Sequence, residues 1–325
     1  MSTMSGGMWA EKYRPQTLDD MTNQTEIVSR LKAFVQEKNL PHLLFVGPAG
    51  VGKTTSILAL AQDLYGPSYR NYVFELNASD ERGINVIREK VKNYARTAAM
   101  ASPVSFKIII MDEADHLTGD AQHALRRTME VYTKTARFCL IGNYSENIID
   151  PIQSRCSVFR YGSLDEVDIK DRLKLIAEKE NLQIVDEGLD ALFQASSGDL
   201  RKAINMLQAA SANGELIDDI SVYSLLGSIR PERVQTMIQL ALDGKFLESR
   251  EALRDILINQ GLAPEDIIRI TYREVMRHKS LTEQMKVRLS DVIGEVDFRL
   301  TQGSRPEIQL STLLGHLSIV GDETK

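Results

Sequence analysis

The sequence predicts an α/β domain on a parallel sheet, followed by a small helical domain and a C-terminal all-helical bundle. Three observations carry that reading. Over residues 1–162 short, continuously apolar runs alternate with amphipathic helical runs, the pattern of a parallel sheet covered on both faces. Between the first apolar run and the first helix stands GPAGVGKT, residues 47–54, which fits G-x-x-x-x-G-K-[ST] in full. From Leu164 onward the apolar runs stop and helical periodicity alone remains. At about 100–200 residues per domain, a chain of 325 suits two or three. The changes of pattern place them at 1–162, 163–227 and 228–325.

Taken in order, HLLFVG (42–47) reads as a buried strand and KTTSILALAQDLYG (53–66) as a helix closed by Gly66. Strands follow at 72–77, 106–112, 137–143 and 157–161, with helices at 84–99 and 120–133 between them. Three amphipathic helices come next, at 165–182, 186–196 and 199–211, the last closed by the Gly and Asn of SANGEL. Beyond about Gly227 the helical runs are 231–242, 246–261, 263–278, 281–300 and 307–320.

Composition narrows the function. Hydrophobic residues make up 43% and charged residues 26%, ordinary for a globular protein with a sizeable core. Cys139 and Cys156 are the two cysteines; they form no CxxC pair, which argues against zinc and for a reducing, intracellular setting. The first residues lack a basic start and an apolar h-region, so no signal peptide is expected. The longest apolar runs are far too short to span a bilayer, so no membrane partner is expected. The net charge of −6 is unevenly spread: residues 1–160 hold 19 basic against 17 acidic residues, and the remainder 20 against 28. Local patches, not the total, decide phosphate binding.

The glycine loop is the strongest functional signal. Gly47, Gly50 and Gly52 let the backbone curl so that amides face phosphate oxygens, and the helix N-terminus adds partial positive charge. Lys53 is placed to reach the β- and γ-phosphates of ATP, and the Thr54 hydroxyl to ligate Mg²⁺. Pro48, Ala49, Val51 and Thr55 complete the candidate nucleotide-contacting set. In IIIMDEAD (108–115) a buried strand delivers Asp112 to its C-terminal end, where α/β sheets present ligands. Asp112 is placed to hold the metal and Glu113 to polarise the attacking water, whereas Asp115 reads as a capping or loop residue. Asn143 ends another strand and either positions the same water or is an ordinary turn residue. Arg201 falls in the first turn of a helix capped by Asp199 or Ser197, the wrong end for a cation. It either faces phosphate or pairs with a carboxylate in solvent.

Two basic features remain. RGINVIREKVKNYAR (82–96) holds five basic residues and one acidic. On a helix, Ile84, Ile87, Val91 and Tyr94 form an apolar face, and Arg88, Lys92 and Arg96 a basic stripe able to follow a phosphate backbone; a plain solvated face is the alternative. Arg155, in PIQSRCSVFRY (151–161), has no acidic neighbour in sequence to pair with.

The motifs WAEKYRPQTLDD, GPAGVGKTT, ELNASDERG, MDEADHLT, ALRRTME, SRC and GDLRKAI occur together in this order. Together they closely resemble the replication factor C small subunits, the AAA+ sliding-clamp loaders of archaea and eukaryotes. The resemblance covers residues 9 to about 225 by motif, and the C-terminal bundle by length and helical character. The missing four-cysteine zinc insertion departs from the bacterial pattern. The resemblance implies a RecA-like AAA+ ATPase domain, a helical lid and a C-terminal collar. It implies a pentameric ring with a large subunit and other small subunits, loading a sliding clamp of the PCNA type onto primer–template DNA. It makes Arg155 a finger reaching a neighbour's γ-phosphate, and Asn143 and Arg201 the first and second phosphate sensors. It sets Tyr13, Arg14 and Pro15 around the adenine, puts Arg82, Arg88, Lys92 and Arg96 against DNA, and the clamp contact near 97–104. The compartment would be the cytoplasm in an archaeon and the nucleus in a eukaryote. The alternatives are another AAA+ DNA motor, such as a branch-migration helicase, and a ring member that binds ATP without hydrolysing it.

Overall fold

A computed structural model describes residues 7–21, 23–80, 83–97, 99, 102–213, 216–225, 231–258 and 262–323. The chain divides into two compact units, Met1–Leu216 and Ile217–Lys325.

The first unit carries β1 (His42–Val46), β2 (Val73–Asn77), β3 (Lys107–Asp112), β4 (Ala136–Gly142) and β5 (Cys156–Arg160). They form one parallel sheet in the order β2-β3-β4-β1-β5. β1 is buried throughout, as are all of β3 but its last residue and all of β4 but Arg137. Continuous apolar runs therefore mark them in the sequence, whereas the edge strands β2 and β5 are largely half-exposed. Because β4 lies between β1 and β3, three neighbouring strands about 4.8 Å apart deliver Gly47, Asn143 and Asp112 side by side at their C-terminal ends.

Around the sheet run α1 (Trp9–Lys12), α2 (Thr25–Glu37), α3 (Lys53–Tyr65), α4 (Ile84–Val86), α5 (Lys92–Arg96), α6 (Gly119–Val131) and α7 (Asp150–Gln153). The lid helices α8 (Glu166–Lys179), α9 (Asp186–Ser196) and α10 (Leu200–Ala210) follow. The sequence pattern does not predict α2. Its N-cap, Gln24, is left-handed with no side-chain cap, so the usual start signal is missing.

The helix expected at 84–99 ends at Arg96 and is interrupted by a π turn, Ile87–Val91. Ile87, Val91 and Ala95 are fully buried at a strict spacing of four. An α-helix drifts about 40° over four residues, and one widened turn brings such a row back onto the core. Ile84 and Tyr94 of the expected apolar face are only half-buried.

The second unit holds α11 (Asp219–Leu225), α12 (Pro231–Leu242), α13 (Phe246–Ile258), α14 (Pro264–Arg277), α15 (Glu283–Thr301) and α16 (Pro306–Asp322). α16 buries Leu310, Leu313, Leu314, Leu317 and Val320 and packs against α12, α13 and α15. Among the described residues no helix is long and apolar enough to cross a membrane.

At the start of β1, His42 is 7% exposed and its Nδ1 accepts a hydrogen bond from the Phe138 amide at 3.1 Å. Burial, reinforced by the charge of Arg137 and opposed by the Met129 carbonyl, pushes its pKa down to about 4. Below about pH 6.5 the unfolded chain takes up a proton that the folded one refuses until about pH 4, so stability present above pH 6.5 is lost on acidification. At 1.36 kcal/mol per unit the loss reaches about 3 kcal/mol. His42→Gln, which keeps an acceptor for Phe138, should flatten the fall in melting temperature between pH 6.5 and 4.

Candidate nucleotide site

The loop after β1 wraps the buried ammonium of Lys53, which is 8% exposed. Lys53 Nζ donates to the carbonyls of Gly47 (2.7 Å) and Pro48 (2.6 Å) and to Asn143 Oδ1 (3.0 Å). Burial lowers its pKa, against the charges of Asp112 and Asp115, which raise it. The first residue of α3 is thus linked by a direct hydrogen bond to the residue that follows β4.

Thr54 Oγ1 donates to Asp112 Oδ2 at 2.8 Å, and Asp112 Oδ1 accepts from the Glu113 amide at 3.0 Å. A hydroxyl and a carboxylate meeting at the phosphate loop make a hard oxygen pair. Among the described residues no group of three or more His, Cys, Asp or Glu could cage a metal. That donor set fits Mg²⁺, which is held through one or two carboxylates plus substrate phosphates. Glu113 is left-handed (φ 54°, ψ 38°), an uncommon state for a residue with a side chain. Its Oε2 lies 3.4 Å from His116 Nδ1.

Asp115 reads in sequence as a capping or loop residue; it is 8% exposed and accepts from the amides of Asn143 (3.1 Å) and Tyr144 (3.2 Å). It therefore fixes the turn that presents Asn143. Its one sequence signal is its place three residues after Asp112 in the same acidic run.

A cavity of about 210 Å³ opens beside the loop. Ala49, Gly50, Val51, Gly52, Lys53, Thr54, Thr55, Asp112, Glu113, Asn143 and Arg201 line it, together with Tyr13, Arg14 and Pro15. Gly47 and Pro48 lie behind it as acceptors for Lys53. Met21, Ile141 and Leu164, outside any motif, supply an apolar wall together with Leu200 and Ile204 of GDLRKAI, and Arg172 joins them, again outside any motif. Most of these arrive from elements remote in sequence.

The N-terminal segment is bound to the lid. Arg172 donates to the Tyr13 carbonyl (2.5 Å), Tyr13 Oη and Lys12 Nζ both donate to Glu180 Oε1 (2.6 Å), and the Trp9 amide donates to Gln208 Oε1 (2.8 Å). Asp199 is the N-cap of α10, accepting from the Lys202 amide at 3.0 Å, while Ser197 ends α9. Asp199 also rests on the phosphate loop. A Cβ at Gly50, where φ is +72°, would lie 2.0 Å from Asp199 Oδ1.

Arg155 does not line the cavity. It immediately precedes β5, at the N-terminal end of the sheet, one five-residue strand or about 16 Å from the end that carries the phosphate loop. Remote in sequence, Glu130 is its ion-pair partner: Nη2 lies 2.6 Å from Glu130 Oε1, and Nη1 donates to the Pro151 carbonyl at 2.6 Å.

Arg88, Lys92 and Arg96 are exposed. Arg82 lies outside the described residues, as do 98, 100 and 101 of the expected clamp contact. Val104, within that stretch, is buried rather than offered to a partner.

A phosphate loop after β1, an acidic pair at the end of β3 with β4 between them, and a helical lid over both define a nucleotide-binding AAA+ ATPase. Residues 43–164 match the ATPase family associated with various cellular activities, 167–219 the RFC1-like AAA+ ATPase lid domain, and 229–316 the replication factor C C-terminal domain. The chain is 52% identical over 319 residues to a replication factor C small subunit of Staphylothermus marinus, covering 98% of this chain and 96% of the relative. It is 53% identical over 313 residues to that of Sulfolobus acidocaldarius, covering 96% of each. The chain therefore belongs to the replication factor C small-subunit family, the ATPases of sliding-clamp loaders. Solved Thermotoga maritima RuvB structures, the T158V variant and the Holliday junction branch migration motor, match with TM-scores of 0.55 and 0.53 at 17% identity. They cover 75% and 76% of this chain and 87% and 88% of theirs. That likeness is one of fold.

Asp115→Ala leaves two amides without their acceptor and frees the Asn143 turn. Turnover should fall about tenfold or more while affinity for a fluorescent ATP analogue stays within about threefold, read by steady-state ATPase assay and titration.

Proposed function

We propose that this chain binds ATP with Mg²⁺ in its own cavity and completes a neighbour's cavity with Arg155, in a ring that loads a sliding clamp onto primer–template DNA. Lys53 meets the β- and γ-phosphates, exchanging carbonyl acceptors for phosphate oxygens. Thr54 and Asp112 hold Mg²⁺, which when bound neutralises phosphate charge. Glu113 orients and polarises water, Asn143 reads the γ-phosphate from β4, and Arg201 reads it from the lid. Tyr13, Arg14 and Pro15, with the apolar wall, take the adenine. The domain bounds 1–162, 163–227 and 228–325, the pentameric ring and its large subunit belong to the same reading.

One observation carries it. Arg155 stands at the opposite end of the sheet from its own phosphate loop, which supports a role toward another molecule's nucleotide. A planar, permanently charged guanidinium supplied in trans is worth about 10³–10⁵ in rate in GTPases.

The basic stripe supports the DNA reading. Among the described residues Arg88, Lys92 and Arg96 have no ion-pair partner, and the helix that carries them is seated on the sheet through Ile87 and Val91. Such a row follows phosphates without reading sequence.

Arg155→Ala and Lys53→Ala chains should each be nearly inactive alone in assembled complexes. Mixed, some interfaces pair an intact loop with an intact arginine, and partial ATPase activity should return. No recovery in complexes shown by mass to contain both would end the trans reading. Replacing Arg88, Lys92 and Arg96 together by Ala should lower the log–log salt slope of duplex binding by about 0.9 for each phosphate no longer engaged, with ATP affinity unchanged. An unaltered slope would return the stripe to solvent.

A further inference from the structure

We infer that Glu130 is a positioning residue for the neighbour's reaction: it holds the Arg155 guanidinium of its own chain in the orientation that meets the phosphate of the next. The inference rests on the reading of Arg155 as a trans finger. Glu130 stands in the last turn of α6, the end of a helix where an anion is disfavoured by the dipole. No basic residue of α6 occupies that turn to offset it. Arg126 and Arg127, four and three residues earlier on α6, stand at helix-pairing distance in sequence but form no ion pair with Glu130, and the compensating charge comes from Arg155 at 2.6 Å.

The contact geometry favours orientation over sequestration. Glu130 engages Nη2, while the Pro151 carbonyl, at the start of the turn that leads into β5, engages Nη1 at 2.6 Å. Ser154 Oγ lies 3.4 Å from the same Nη1. Two acceptors on different elements, α6 and α7, fix the plane of the fork. A guanidinium has five N–H donors, so donors remain for phosphoryl oxygens. Both side chains are partly exposed, 37% for Arg155 and 41% for Glu130, and a pair so placed is too weak to withhold the arginine from a phosphate. It is enough to choose among the rotamers of a long side chain. Misplacement of a reacting group by about 1 Å costs up to about 100-fold.

The mixed complex provides the test. In a mixture of Arg155→Ala and Lys53→Ala chains, the productive interface pairs the phosphate loop of the first with Arg155 of the second. Glu130→Ala added to the Lys53→Ala chain should lower the recovered kcat about 10- to 100-fold without raising KM for ATP. Added to the Arg155→Ala chain it should change nothing. Glu130→Gln, which keeps an acceptor oxygen, should restore most of the loss. An equal fall from either chain would make Glu130 a structural or own-site residue and overturn the inference, as would no fall from either. If the parent mixture recovers no activity, the trans reading itself fails, and this inference falls with it.

Discussion

A buried ammonium must be surrounded by oxygen, and in this chain that requirement organises the phosphate site. Lys53 is enclosed at the start of α3 and draws three acceptors around it, two from its own loop and one from the end of β4. Those acceptors can converge because β4 is inserted between β1 and β3. Asp112 and Asp115 then supply negative charge from the next strand, offsetting what burial costs the cation. Asp115 also ties down the turn that bears Asn143. The loop, the acidic pair and Asn143 are thus one electrostatic assembly. A phosphate group entering it exchanges with acceptors already satisfied within the protein.

The same sheet separates two kinds of surface. Its C-terminal edge faces the chain's own cavity, and its N-terminal edge presents Arg155 on the β5 side. A rigid, fully buried central strand, β1, lies between them. Such a slab transmits position more faithfully than a loop would, because a close-packed interior deforms little.

The central strands are readable because burial on both faces writes itself as an unbroken apolar run, and each falls within a residue of its expected bounds. The phosphate loop and Asp112–Glu113 are readable because their chemistry is contiguous. What escapes is written without a local signal. α2 begins at a left-handed Gln24 with no capping side chain. The π turn at Ile87–Val91 arises from packing against the sheet, not from any helix breaker. Leu164 and Arg172 join the cavity when the lid folds over it, and the Arg155–Glu130 pair links residues with a whole strand, β4, between them. Asp115 is visible in the sequence, but its burial is not.

The N-terminal segment belongs mechanically to the lid. Trp9, Lys12 and Tyr13 are bonded to Gln208, Glu180 and Arg172, and Asp199 sets the lid directly on Gly50. A fluorophore attached near Gly7 would therefore ride with α8 and α10 and report on closure of the lid. The same label on α6 or α3 would be silent to that motion. An affinity tag ahead of Gly7, for its part, would load a segment bonded to the lid.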